Sequence, residues 1–476
     1  MILTGVIYTI ISPFCRVISL AIIAISCSQT AFSQSNAQKL IEKYCDAKHR
    51  YEGFNGNILV AKKGKIFFQK SYGYADFNTR KPLGSNSSFN ICSISKELTA
   101  TAIILCKRKN LISLEDTLRK FFPELPYSSV TIKQMLTHSS GIVSSEFLFS
   151  HWNKETAISE EEMLQLLIQE KPPLLFNPGE KFEYSNIAYV LLAMIVEKVS
   201  NQKFSGFLKA NIFDKLKMSR SGVGTPANFI KNQTANYIFD YLNDSATRKT
   251  YFEPRERKDW EKAFLISGLY GNSNIFSTTN DLLKWQQGIA GGKIISPRLY
   301  HEMTSPKIEA NFAGINYYGY GFSINAVYDD TMVFHNGGTL GYSTTLRYLK
   351  NKGFTIITLC NTNRTNDPVE GIMAILYGQK IISPTADIPL RLSRQELDFF
   401  SGTYETGGRQ FKIERHQDTL FRMVDGAQPL RLIPKKGKRL YYTDGSDREI
   451  LFENEAGKLK VYLLKADGLA LELKKL

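Results

Sequence analysis

Strand-like runs stand at both ends of residues 56–378 of this chain, with helical runs between them. That order restricts the fold more than any other feature. Gly56–Ala61 and Lys65–Lys70, joined by Lys62-Lys63-Gly64, read as a hairpin. Strands return only at Met332–His335, Thr344–Leu349 and Phe354–Leu359. Helical periodicity fills Lys96–Arg108, Thr131–Thr137, Glu160–Gln169 and Ala188–Val199, and Thr278-Thr279-Asn280-Asp281 caps a helix running through Trp285. Helices at Ala37–Ala47 and Pro368–Gly378 flank this part. The pattern predicts an α+β fold, in which an antiparallel sheet is assembled from the two ends and flanked by layered helices. Thr225–Arg257 is polar and aromatic without a clean period and reads as an elaborated surface region.

A second unit follows. The segment 382–392, with Pro384 and Pro389, reads as a linker, and residues 393–476 are short alternating runs separated by Gly and Asp turns, the pattern of a small antiparallel β-barrel. Before the first unit, Arg16 precedes the apolar run Val17–Ile25, which is too short to span a bilayer but suits a signal-peptide core. Ala31-Phe32-Ser33 places small residues at alternate positions, so cleavage after Ser33 is expected, leaving domains at 34–381 and 393–476. Ala24-Ile25-Ser26-Cys27 loosely resembles a lipoprotein box, with a lipid anchor at Cys27 as the alternative. Apolar residues 2–14 allow a longer uncleaved anchor. Export to the periplasm or cell surface is the expectation in each case. Processing after Ser33 leaves no integral membrane span.

The net charge of +15 raises nucleic acid as a partner, but the basic residues are scattered and no helix-turn-helix, zinc-finger or RNA-binding signature accompanies them. The densest cluster, Lys435-Lys436-Gly437-Lys438-Arg439, lies between strand-like runs and reads as a solvated hairpin face. Cys45, Cys92, Cys106 and Cys360 remain after processing, far apart and without Cys-x-x-Cys spacing, so no essential disulfide is expected. No His-Glu-x-x-His occurs among the six histidines, and no metal site is expected.

Three short motifs carry the chemistry. Ser93-Ile94-Ser95-Lys96 opens a helix, where the dipole favours negative charge on the serine oxygen and Lys96, one turn on, reaches its hydroxyl. About two Ser-x-x-Lys matches are expected by chance in such a chain. A second, Ser200-Asn201-Gln202-Lys203, falls at a polar helix end and reads as a turn. Tyr184-Ser185-Asn186 follows a Pro178-Gly179 turn, just before a helix. A tyrosine near cations is expected to have its pKa lowered toward exchange with a serine, and Asn186 can orient a lysine or a substrate amide. His335-Asn336-Gly337-Gly338 ends a strand, with glycines that permit close backbone approach.

Together these pieces resemble the serine β-lactamase and penicillin-binding peptidase superfamily, in its branch of class C β-lactamases, D-aminopeptidases and esterases. The resemblance runs from residue 40 to residue 380 and includes Gly73-Tyr74-Ala75-Asp76, Leu136-Thr137-His138-Ser139-Ser140-Gly141 and Tyr318-Gly319-Tyr320-Gly321-Phe322. It implies Ser93 as the acylated nucleophile, Lys96 as its proton acceptor and Tyr184 as general base and acid. Asn186 would position substrate and lysine, while His335, Gly337 and Gly338 would line the substrate, with backbone amides from Ser93 and this strand holding an oxyanion. His138 is given a structural role. No cofactor is implied, and the partner is a small-molecule or short-peptide substrate. β-Lactamases of this branch typically carry Lys-Thr-Gly where this chain has His335-Asn336-Gly337. A histidine only partly protonated near neutrality draws the expected substrate away from β-lactams toward D-peptides and esters. The C-terminal segment resembles the small barrel appended to such hydrolases.

Overall fold

A computed structural model describes residues 36–476 apart from 155, 225–230, 240–250, 253–265, 340, 363–366, 380, 382, 385–391, 407–408, 425–428, 436–438, 443–447, 456–457 and 465–469. The expected signal segment and most of the linker lie outside the described residues.

The two ends of the first unit do meet in one sheet. Gly56–Lys62 pairs antiparallel with Phe354–Cys360 from Gly56↔Cys360 to Lys62↔Phe354, a closure across nearly the whole unit. The sheet has eight strands, ordered in space Ile308–Phe312, Ile315–Tyr318, Ser323–Val327, Asp330–Thr339, Tyr342–Leu349, Phe354–Cys360, Gly56–Lys62 and Lys65–Tyr72. The first three of these were not expected. Ile308–Phe312 is an edge strand in which partly buried Ile308 and Ala310 alternate with exposed Glu309 and Asn311, a short period-two signal that the sequence expectation did not use.

Period-two alternation divides the sheet between two cores. Leu59, Ala61, Val333, Leu346 and Ile357 face the helical layer, against Ile103, Leu191, Leu282 and Trp285. Ile58, Val60, Met332, Phe334 and Ile356 face the other way, against Ile41, Tyr44, Ile372 and Met373. The first helix is longer than expected, covering residues 36–52. Three of the others begin at side-chain caps that the sequence shows: Thr131 and Ser159 form capping boxes with Gln134 and Glu162, and Thr278 accepts from the Asp281 amide. The capped helix after Thr278 runs past Trp285 to Ala290.

The segment read as surface is only partly described, and its described centre corrects that reading. Thr234 and Tyr237 are buried, and the chain there is tied down by Ala235 N–H to the Ala75 carbonyl and Tyr237 N–H to the Asn361 carbonyl. The Thr234 hydroxyl donates to Tyr342, and the Tyr237 hydroxyl accepts from the Phe77 N–H.

Residues Gly402–Lys475 form a closed eight-stranded antiparallel barrel, the last strand pairing with the first through Tyr404↔Lys475. Tyr404, Ile413, Leu432, Ile450 and Leu473 fill it. The helix Arg394–Phe400, capped by Ser393 and Glu396, precedes the barrel and contributes Leu397 and Phe400 to the same core.

Candidate active site

The short strand Phe89–Asn90 pairs with Ile275–Ser277, and the chain then turns sharply through Cys92, whose φ of 51° is a left-handed value rare for a non-glycine residue. The Cys92 amide is anchored by Asn90 Oδ1 at 2.9 Å. A single 3₁₀ turn, Cys92–Ile94, carries Ser93 and leads into the helix Ser95–Arg108. The nucleophile candidate therefore stands just before the helix, partly exposed, with buried Lys96 behind it.

Lys96 is 0% exposed. Its Nζ lies 2.8 Å from Asn186 Oδ1, 2.9 Å from the Asn272 carbonyl and 3.2 Å from Ser93 Oγ. No carboxylate appears among these partners. Burial holds the Lys96 pKa well below the usual lysine value, because a charged amine here would lose its water without gaining a counter-ion. A neutral amine has two N–H donors and one lone pair. Asn186 Oδ1 and the Asn272 carbonyl can only accept, so they take both donors and the lone pair is left for the Ser93 hydroxyl.

Tyr184 and Asn186 are placed by the start of the helix Asn186–Ser200. Between them, Ser185 caps that helix by accepting from the Ala188 amide, donates its hydroxyl to the Val143 carbonyl, and donates its N–H to His138 Nδ1 at 3.1 Å. The Asn186 amide is oriented by Ser145, which accepts from Nδ2 at 3.2 Å and so turns Oδ1 toward Lys96. Tyr184 is hydrogen-bonded to Ser93, and its ring lies 4.7 Å from Lys96 Nζ and 4.2 Å from the His138 ring. Its pKa moves opposite to the expected direction. Burial raises it, outweighing the Ser93 hydrogen bond. The phenol is protonated at neutral pH.

The third motif also departs from its reading. His335 lies inside the strand Asp330–Thr339 rather than at its end; pairing continues through Gly337↔Thr344 and Gly338↔Ser343. The glycines are ladder members, not terminators. The imidazole is 2% exposed, with Nδ1 2.7 Å from the Asn336 carbonyl and Nε2 2.9 Å from the Tyr318 hydroxyl. A carbonyl accepts only, so Nδ1 carries the proton and Nε2 accepts from Tyr318. Burial lowers its pKa to about 3, so His335 is neutral near pH 7 rather than partly charged, and both of its nitrogens are occupied. Gly337 serves a close approach. A Cβ there would stand 2.6 Å from Thr344 Oγ1, 2.7 Å from Cys92 Cβ and 2.8 Å from the Ile91 carbonyl. Only a glycine lets this strand lie against the turn that carries Ser93. At Gly338 a Cβ would meet almost nothing, so that residue's place is open to a ligand.

The structure thus brings Ser93, Lys96, Tyr184 and Asn186 into one hydrogen-bonded group, with Gly337 packed against it and His335 sealed behind. Sequence reading missed Asn272, which acts through a main-chain carbonyl, and Ser145, which acts through Asn186. It also missed Tyr318 as the partner of His335, although Tyr318 stood in a noted landmark. Gly321 in that landmark, at φ 81°, passes so close to the Lys96 carbonyl that a Cβ would stand 2.8 Å from it. Cys45, Cys92, Cys106 and Cys360 are free and buried. Among the described residues no group of His, Cys, Asp and Glu could hold a metal ion, and no helix is long and apolar enough to cross a membrane.

Proteins of similar sequence and fold are known. Penicillin-binding protein 4* of Bacillus subtilis (strain 168) is 28% identical over 446 residues, covering 91% of this chain and 98% of that protein. The octameric penicillin-binding protein homologue from Pyrococcus abyssi superposes with a TM-score of 0.63 at 23% identity, over 91% of this chain and 99% of that one. D-amino acid amidase from Ochrobactrum anthropi SV3 superposes with a TM-score of 0.60 at 21% identity, over 72% of this chain and 99% of that one. The family model described as Beta-lactamase matches residues 39–378, nearly all of the sheet-and-helix unit that carries Ser93, Lys96 and Tyr184, and the chain belongs to the β-lactamase family.

Proposed function

We propose that this protein is an exported serine hydrolase that cleaves amide or ester bonds through an acyl-enzyme on Ser93. The observation that carries the reading is the enclosed Lys96 amine, held by two neutral acceptors and 3.2 Å from the Ser93 hydroxyl. As Ser93 Oγ forms its bond to the substrate carbonyl carbon, the hydroxyl proton passes to Lys96. The Ser93 N–H and a backbone amide beside Gly338 would hold the oxyanion. When the bond to the leaving group breaks, the Tyr184 phenol gives its proton to that group and recovers one from the Lys96 ammonium. Water then attacks the ester by the reverse relay. The raised Tyr184 pKa fits a proton donor better than a standing base.

Substrates of this class include D-amino-acid peptides, peptidoglycan-like peptides and small esters. A β-lactamase proper is the lesser reading, because the neutral, doubly bonded His335 offers no fixed cation to a β-lactam carboxylate. Intact-mass analysis after treatment with a fluorophosphonate tests the mechanism. One adduct on the wild type and none on Ser93→Ala are expected. A folded wild type that forms no adduct, or a variant that still forms it, would overturn the reading. Nitrocefin, a nitrophenyl ester and a D-alanyl peptide then rank the substrates, with nitrocefin expected last.

A further inference from the structure

The edge strand Ile308–Phe312 ends in a ring that the hydrolytic reading does not use. Phe312 is 47% exposed, yet it is not isolated. Its ring stacks on Tyr184 with centroids 6.1 Å apart and planes within 15°, and it lies 6.1 Å from the ring of Phe182. Phe182 in turn packs 5.6 Å from Tyr318 and 5.7 Å from His138. Phe182 and Tyr184 are themselves partly exposed. Three rings therefore form one apolar surface whose inner end is the phenol hydrogen-bonded to Ser93. Single exposed apolar residues are ordinary on proteins, but a contiguous set beside a reactive group marks a binding surface.

Position identifies what it binds. Tyr184 gives its proton to the departing atom, so rings stacked on Tyr184 flank the leaving group rather than the acyl group. From this geometry we propose that Phe312 and Phe182 form a leaving-group subsite, selecting an uncharged aromatic or branched aliphatic amine or alcohol. The proposal rests on the acyl-enzyme reading above and names the substrate class of the same site. Neither ring offers a donor or an acceptor, and the neighbouring Tyr318 hydroxyl is engaged by His335, so discrimination here is by apolar area. Burial of an aromatic ring against this surface lowers the acylation barrier only. The acyl-enzyme has already lost the leaving group, so deacylation is not affected.

The test uses ethyl and 2-phenylethyl esters of D-alanine, which give the same acyl-enzyme and have leaving groups of similar basicity. Wild type should prefer the phenylethyl ester in kcat/KM by about tenfold or more, the scale of one buried ring. In Phe312→Ala the ratio should fall to about threefold or less, Phe312→Leu should recover part of it, and Tyr317→Ala, an exposed tyrosine of the neighbouring strand paired with Glu309, should keep it. Equal kcat/KM values in wild type, or a ratio unchanged in Phe312→Ala, would overturn the proposal. If neither ester is turned over, 2-phenylethanol should slow fluorophosphonate labelling of wild-type Ser93 more than ethanol does, and should lose that advantage in Phe312→Ala; no difference between the alcohols overturns the subsite. Loss of labelling altogether counts instead against the acyl-enzyme, so the two failures are distinct.

Discussion

The chain contains Ser-x-x-Lys twice, and the two copies differ in everything except spelling. At Ser93 the lysine is fully enclosed, its amine faces three neutral oxygens and the serine rides on a 3₁₀ turn pressed against the central sheet. At Ser200 the serine is the last residue of a helix and Asn201 takes the left-handed cap at φ 53°. Lys203 there is 79% exposed, with Glu197 4.0 Å away. Lys203 stands in water beside a carboxylate, whereas burial without a counter-ion holds the Lys96 pKa well below the usual lysine value. Reactivity belongs to the enclosure, not to the motif.

The largest expected effect separates the two copies directly. Ser93→Ala and Lys96→Arg should each lower acylation by more than about 10³-fold, since an arginine cannot surrender its proton, while Ser200→Ala and Lys203→Arg should leave the labelling rate as it is. Labelling of Ser200 in the Ser93→Ala variant would break the comparison. Next comes Gly337→Ala, which pushes a methyl group into Cys92, Ile91 and Thr344 around the first copy only. Urea unfolding should show a loss of about 1–3 kcal/mol, with labelling slowed at the same time. A variant as stable and as reactive as wild type would mean that the strand does not hold the nucleophile turn.

A third effect concerns His335, the buried ring behind the first copy. Its folded pKa of about 3 lies below the value of about 6.5 expected in the unfolded chain. Between those values the unfolded chain binds more protons. The stability contributed by the neutral ring is therefore complete above about pH 6.5 and is lost as the pH falls toward 3, by at most about 1.4 kcal/mol per pH unit. Relative to wild type, His335→Gln should gain stability as the pH is lowered through this window. A difference curve that stays flat would contradict the neutral assignment. Smallest of all, Lys203→Ala should change stability by less than about 0.5 kcal/mol, as an exposed ion pair does.

How much of this was legible in the sequence follows from how each part is made. Ser93, Lys96, Tyr184 and Asn186 were readable because each lies beside a local signal, a helix start or a Pro-Gly turn. Closure of the sheet by Gly56–Lys62 against Phe354–Cys360 was readable because both strands keep a dense β pattern. The strands from Ile308 to Val327 were missed because each is only four or five residues long, so any alternation spans too few positions to stand out from a loop. Asn272 was missed because its carbonyl, not its side chain, holds Lys96, and any residue type presents the same group. The charge states of Tyr184 and His335 were misjudged for one reason: they depend on burial by Tyr318, Phe182 and His138, which meet only in three dimensions.

The neutral Lys96 amine is the centre of the account, and the pH dependence of fluorophosphonate labelling at Ser93 tests it most directly. A lysine already deprotonated in the fold predicts a rate that is level between about pH 8 and about pH 10, falling only at lower pH. A rate that climbs about tenfold per pH unit across that interval would mean that Lys96 keeps an ordinary lysine pKa, and would contradict it.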